Sequence, residues 1–258
     1  MLDKDKKSTK IIGGVLALIL IFAVAGIYVG MKNYNSTGVF FTAKKKLPIY
    51  CVDTDKKKIA ITFDASWGSD KTESLLETLD KYNVKATFFL VGGWVDKYPD
   101  KVLEIYKRGH EIGNHSNTHP NMTRLSKEKI INEIAITDAK IMKITGENTK
   151  VFRCPEGAYN DKVVEAVEST NHYCIQWDVD SIDWKAQGAD LEYNRVIKKT
   201  KPGSIILFHN DAKFTPQNLP RVLEKLKSEG YEFVTVSELI YKDNYHMDHS
   251  GKQIKNNQ

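Results

Sequence analysis

The sequence is short of cysteine and proline and has no dense positive stripe, and each shortage excludes a class of protein. Three cysteines in 258 residues, Cys51, Cys154 and Cys174, are too few and odd in number for a disulfide scaffold. Cys154 and Cys174 become neighbours if their strands are adjacent, but free thiols are expected. Seven prolines, with 10% aromatic and 41% hydrophobic residues, argue against disorder and for a packed core. The length suits one large domain. The formal charge is only +5, from 38 basic and 33 acidic residues. The lysines are scattered rather than gathered with aromatics along a groove, so no nucleic-acid partner is expected. Internal repeats and low-complexity tracts are also missing.

What the N-terminus does have is a charge-free apolar run over residues 11–30. As a helix it spans about 30 Å, the thickness of a bilayer core. Lys4, Lys6, Lys7 and Lys10 precede it and favour a cytoplasmic N-terminus. Lys32 and Lys44 to Lys46 lie beyond it, and only Lys32 is near that edge. Ala23-Val24-Ala25 resembles a signal-peptide cleavage site. The run continues through Ile27, Tyr28 and Val29, which suits an uncleaved membrane anchor better. Either reading exports the remainder, as a domain anchored in the cell membrane or secreted after cleavage near Ala25. The expected organisation is a tail and transmembrane helix over 1–31, a polar linker over 32–57, a folded domain over 58–241 and a mobile polar tail over 242–258.

Within the domain, short apolar segments alternate with amphipathic ones. Strands are expected over 59–63, 86–91, 111–114, 151–153, 173–177, 204–208 and 232–236. Between them, Leu75, Leu76, Leu79 and Tyr82 share a helical face. A second helix opens near Pro99 and stops at Gly109. Ile130, Ile131, Ile134, Ile141 and Ile144 mark a longer helix ended by Gly146, and Leu219, Val222, Leu223 and Leu226 another ended by Gly230. About seven such repeats predict an α/β fold with a parallel sheet covered by helices, open or closed into a barrel. In both forms reactive groups belong at the C-terminal ends of the strands.

That is where the polar residues fall. Asp64 ends the first strand. His115 and His119 follow the third, and two histidines four apart can share a metal if the segment turns helically. Arg153 ends the fourth, Asp180, Asp183 and Trp184 follow the fifth, and His209 ends the sixth. An isolated His-x-x-x-His is weak evidence, but chance would spread five such groups over both ends of the sheet.

Taken in order, Thr62-Phe63-Asp64-Ala65, His115-Ser116-Asn117-Thr118-His119, Arg153-Cys154-Pro155-Glu156-Gly157, Asp180-Ser181-Ile182-Asp183-Trp184 and Leu207-Phe208-His209 resemble the motifs of the polysaccharide deacetylases. These form carbohydrate esterase family 4, with its NodB homology domain. The segment Phe63-Asp64-Ala65-Ser66-Trp67-Gly68 resembles the sporulation-associated branch. The resemblance covers roughly residues 58–240. It implies a distorted (β/α) barrel of about seven repeats and a peptidoglycan N-deacetylase acting on N-acetylglucosamine or N-acetylmuramic acid residues of the cell-wall glycan.

It further implies a divalent metal, zinc or cobalt, on His115 and His119. Asp64 becomes the general base and His209 the general acid. Arg153 orients Asp64, and Asp180 tunes His209 or pairs with Arg153. A backbone N–H near Glu156 serves the oxyanion, and Leu207 and Trp184 wall the acetyl pocket. Tyr159 and Trp177 read as core or groove wall, Tyr159 being a candidate substrate contact. The family's second aspartate, a metal ligand, is replaced by Ala65, leaving the third position to water or to another acid such as Asp70. The competing reading is therefore a non-catalytic glycan binder on the same scaffold. His110 is expected to be packed and His172 at the surface. His246 and His249 repeat a ligand spacing in the tail. A monomer is expected.

Overall fold

The computed structural model describes residues 18–29, 31 and 45–256. The chain divides into two compact units, Met1–Lys44 and Lys45–Gln258. In the first, residues 18–29 are helical and exposed. Among the described residues no helix is long and apolar enough to cross a membrane. The anchor expected over 11–30 and the linker expected over 32–57 lie partly outside the described residues.

The second unit carries the sheet, and its helices are numbered here from α1. In chain order come β1 (Cys51–Val52), β2 (Lys58–Ala65), α1 (Thr72–Lys81), β3 (Thr87–Leu90), α2 (Gly92–Lys97), α3 (Pro99–Lys107) and β4 (Glu111–Asn114). Then follow α4 (Lys127–Thr145), β5 (Val151–Arg153), α5 (Asp161–Ser169), β6 (Tyr173–Ile175), β7 (Val179–Asp180), α6 (Ala189–Lys199) and β8 (Ile205–His209). The chain ends through α7 (Thr215–Ser228), β9 (Glu232–Phe233), α8 (Val236–Leu239), β10 (Tyr245–Met247) and β11 (Lys252–Lys255).

The helix boundaries follow local chemistry. Ser126 caps α4 by accepting from the Lys129 N–H, and Gly146 ends it in a left-handed conformation, where a side chain would be strained. Asn160 caps α5 in the same way. The strand expected over 232–236 stops at Phe233 because Thr235 and Glu238 form a capping box that starts α8.

The main sheet runs β6-β5-β4-β3-β2-β8-β7, with β9 added beside β2, and every pair in it is parallel. It curves as a half-barrel with helices on its outer face. The α/β class holds, and of the two forms left open the sheet takes the incomplete one, with β6 and β7 as its edge strands. Alternation along β2 sets its two faces. Ile59, Ile61, Phe63 and Ala65 join the cluster under the helices, where the Phe63 ring stacks on Phe88 at 4.9 Å. Thr62 and Asp64 point the other way and bond to Arg153.

Three expectations are corrected. The segment before residue 58 is not a linker throughout: Ile49 bridges to Ile175 and Cys51 to Ser204, so the chain ties the β6 edge to the start of β8. Gly203 makes this possible, because a Cβ there would lie 1.8 Å from the Val52 carbonyl oxygen. The tail is ordered too, β11 pairing with β1 and β10. It is held by backbone hydrogen bonds, by the ion pair of Lys252 with Asp53 and by the buried Gln253, whose amide donates to the Tyr241 carbonyl and accepts from the Tyr241 N–H. These are mostly polar contacts, which hydrophobic periodicity does not signal. His172 is buried rather than at the surface, between Thr149 at 2.9 Å and Asp138 at 3.3 Å. His110 is packed as expected, against Phe88. The three thiols are buried and free, and Cys154 and Cys174 lie 3.8 Å apart on adjacent strands.

Candidate functional site

Asp64 sits at the C-terminal end of β2 with only 5% of its surface exposed. Its Oδ1 accepts from Arg153 Nη1 at 2.7 Å, and its Oδ2 lies 3.5 Å from His115 Nε2. Arg153 is fully buried. It donates also to Thr62 Oγ1 at 2.8 Å and to the Gln176 carbonyl at 3.2 Å. Its guanidinium carbon lies 4.1 Å from the centre of the Phe89 ring and 5.4 Å from that of Trp177. Five donors in a fixed plane suit such a cage better than a lysine would. Burial, the largest influence on Asp64, pushes its pKa up. The charge of Arg153, then that of His209, and the Arg153 hydrogen bond overcome it and hold the carboxyl below its usual range.

His115 follows β4, its N–H donating to the Leu90 carbonyl. Its Nδ1 lies 2.8 Å from the Arg153 carbonyl oxygen, which can only accept. The proton therefore belongs on Nδ1, and the Nε2 lone pair faces Asp64 and the cavity. Burial lowers its pKa to about 4, so the imidazole is neutral, as a ligand must be. The two histidines do not meet on a helical turn. Ser116 and His119 are both left-handed (φ 66° and 57°), and the His119 N–H donates to Ser116 Oγ. This irregular turn brings the rings edge to face with centroids 5.0 Å apart. Burial lowers the pKa of His119 also.

His209 ends β8. Its Nδ1 lies 2.7 Å from Asp183 Oδ1, and its N–H donates to Asp183 Oδ2 at 2.7 Å. Thr215 donates to the same Oδ2, fixing the carboxylate. Nε2 is the nitrogen left for the cavity. Burial alone would lower the pKa of His209, but the hydrogen bond and charge of Asp183 raise it. Asp180 tunes His209 and Arg153 through its charge; its carboxylate accepts from the Ile182 N–H rather than pairing with Arg153.

Asp64, His115, His119, Asp180, Asp183 and His209 line one cavity of about 730 Å³ with Ser66, Trp67, Glu156, Trp177, Trp184 and Leu207. That volume accommodates a sizeable ligand. Glu156 enters through a left-handed turn (φ 59°), its carboxylate accepting from Asn121. Tyr159 does not line the cavity, because its hydroxyl is tied to that of Tyr50 at 3.0 Å. Asp183 and Trp67 stood within sequence motifs without a role of their own, and Asn210 was not singled out from the sequence. Asp183 had a signal in its motif, while the other two depend on how loops fold back.

The donor set fits a divalent metal in part. His115 Nε2 and His119 are available, but among the described residues no three His, Cys, Asp or Glu side chains gather to hold an ion. Asp70 is exposed and does not line the cavity. Asp211, which does, is paired with Lys71 at 3.1 Å. Ala65 is 1% exposed within the cluster under the helices, facing away from the histidines. Open catalytic sites ordinarily keep three protein ligands, and this one provides two.

Residues 52–175 match the polysaccharide deacetylase family. The peptidoglycan-N-acetylglucosamine deacetylase PgdA of Listeria monocytogenes is 38% identical over 200 residues, covering 78% of this chain and 42% of the relative. The chain thus spans less than half the length of that relative. A peptidoglycan-N-acetylglucosamine deacetylase of Bacillus cereus is 37% identical over 194 residues, 73% of this chain and 91% of the relative. Among solved structures, a CE4 family pseudoenzyme from Bacillus anthracis superposes with a TM-score of 0.73 at 33% identity, over 82% of this chain and 73% of that one. A mutant of that protein with restored enzymatic activity superposes at 0.72 with 38% identity, over 74% and 70% of the two chains.

Proposed function

Because the chain belongs to the polysaccharide deacetylase family, we propose that it hydrolyses N-acetyl groups of a cell-surface polysaccharide, with peptidoglycan as the first candidate. One observation carries the reading: Asp64 and His209 are register partners on adjacent parallel strands, with opposed charge preferences. Asp64, kept ionised by Arg153, takes a proton from the water whose oxygen bonds to the acetamide carbon. His209, kept protonated by Asp183, gives a proton to the nitrogen as the C–N bond breaks. Acetate and a free amine result, with one proton taken and one returned.

A divalent metal, zinc or cobalt, held by His115 and His119 would supply Lewis-acid polarisation of the carbonyl. Arg153 fixes the direction of the Asp64 carboxylate. Leu207 and Trp184 offer apolar surface to the acetyl methyl and the sugar ring. The backbone N–H at Glu156 is the candidate oxyanion donor. The relatives' substrates support a cell-wall glycan as partner, and the Phe63 to Gly68 segment supports the sporulation-associated branch. The charge-free run 11–30 supports a single-pass anchor with the catalytic domain outside the membrane.

A second reading has an observation of its own. Ala65 removes a metal ligand, and a similar fold belongs to a pseudoenzyme, so the chain would bind glycan without cleaving it. A pure binder has no use for the Arg153–Asp64 and Asp183–His209 pairs, which favours the enzyme. Acetate release from acetylated peptidoglycan, with and without added zinc or cobalt, decides between them. Release that depends on Asp64 and His209 supports the deacetylase, and binding without release supports the binder.

A further inference from the structure

The cavity wall includes one large side chain that the chemistry above does not use. Trp67 is 70% exposed, although tryptophan is ordinarily buried over most of its surface. Its indole rests against His119, with ring centroids 5.5 Å apart. The backbone beside it is held firmly. Gly68 is left-handed at φ +55°, and a Cβ there would lie 2.2 Å from Asp211 Oδ2. The Gly68 carbonyl accepts from Trp94 Nε1 at 2.7 Å and from Asn210 Nδ2 at 2.9 Å, both from buried residues. The chain is pinned while the ring is presented to solvent.

Trp184, 60% exposed, lines the same cavity. It too is carried on a constrained turn, between left-handed Ile182 and Ala186. Two exposed indoles therefore share one cavity with a floor of Asp64, His115, His119, Asp180 and His209. Apolar faces above a floor of hydrogen-bonding groups match a pyranose, whose C–H faces stack on aromatic rings while its hydroxyls and acetamide meet polar partners. One indole is enough for the ring being deacetylated. The second calls for another ring.

We propose that Trp67 is a stacking platform for a neighbouring sugar ring, so that the site recognises a chain of N-acetylated pyranoses rather than a single one. The glycan's identity rests on the function proposed above, but the platform itself requires binding alone. Calorimetric titration of the full chain with N-acetylglucosamine and with chitotetraose, for wild type, Trp67→Ala and Trp67→Phe, tests it. Wild type is expected to prefer the tetrasaccharide. Trp67→Ala is expected to weaken tetrasaccharide binding about tenfold, the scale of one aromatic stacking contact, while monomer binding changes little. Trp67→Phe is expected to recover most of the loss. The proposal is overturned if Trp67→Ala binds the tetrasaccharide as wild type does, or if wild type shows no preference for it. Acetate release is measured separately on the same proteins. A wild type that releases none while Trp67→Ala still loses tetrasaccharide binding defeats the deacetylase reading and leaves the platform standing.

Discussion

Arg153 reaches across the interior of the half-barrel to hold Asp64 at 2.7 Å, and both side chains are buried. Removing the arginine leaves a buried carboxylate without its partner. Arg153→Met is therefore expected to destabilise the fold by about 3–5 kcal/mol, measured by denaturant unfolding. The double variant Arg153→Met with Asp64→Asn should lose less than the two single losses combined, because the stranded charge is gone. Strict additivity would show that the pair is not coupled.

Asp64→Asn and His209→Ala should each reduce acetate release by about 100- to 10,000-fold while leaving the circular dichroism spectrum unchanged. Each substitution removes a proton-transfer group and little packing. Near-normal rates in both variants would falsify the acid and base assignments.

The opposed pKa shifts predict a broad pH plateau. Asp64, depressed, stays ionised to low pH, and His209, raised, stays protonated to higher pH. Asp183→Asn weakens the hold on the imidazolium, so the alkaline limb of kcat/KM should move to lower pH while the acid limb stays. The sign for stability follows from linkage. A raised histidine pKa contributes stability below its unfolded value and loses it as pH rises through the folded value. Asp183→Asn should therefore cost more stability in acid than in alkali, and thermal melts across the pH range check this.

Glu192 offers an independent pH probe. Its Oε2 accepts from Asn218 at 2.9 Å, while its Oε1 is buried without a partner. Burial, with the charge of Asp183 adding to it, pushes its pKa up to about 7. A carboxyl raised in the folded state contributes stability below its unfolded pKa that is lost as pH rises toward the folded one. Glu192→Gln keeps the hydrogen bond and removes the titration. Wild type should lose stability relative to this variant as pH rises from acid to neutral, and parallel melting curves would contradict the burial argument.

Ala65→Asp brings the missing carboxylate at a cost that can be read from the fold. The Ala65 side chain faces the apolar cluster, so without metal an aspartate there should lower the melting temperature. With zinc the residue has reason to turn toward His115 and His119, and metal binding should tighten while stability recovers. Metal titration followed by melting decides the matter. A variant that neither loses stability without zinc nor gains affinity for it would show that position 65 is not beside the metal site.

Legibility in the sequence followed strand geometry. Asp64, Arg153 and His209 could be placed because each ends a strand, and a strand end fixes where a side chain goes. Asp183 and Asp180 could not be told apart from spacing, since the left-handed turn at Ile182 decides which carboxylate reaches His209. Tyr159 packs against the core as read, but its candidate substrate contact could not be judged because its partner, Tyr50, belongs to a segment that read as linker. The ordering of the C-terminal hairpin rests on backbone pairing over a long separation, which side-chain pattern does not encode. Trp67 stood in the Phe63 to Gly68 motif without a role until the pinned carbonyl of Gly68 showed how firmly its backbone is held.

The pairing of β1 with β11 also sets a timetable. The ion pair between Lys252 and Asp53 that accompanies it joins residues 199 positions apart. Contacts of such long range form late, because the whole intervening chain must first be in place. The strand that ties the β6 edge to β8 waits for a partner synthesised long after it. During synthesis the half-barrel therefore stays unlatched until β11 has been made.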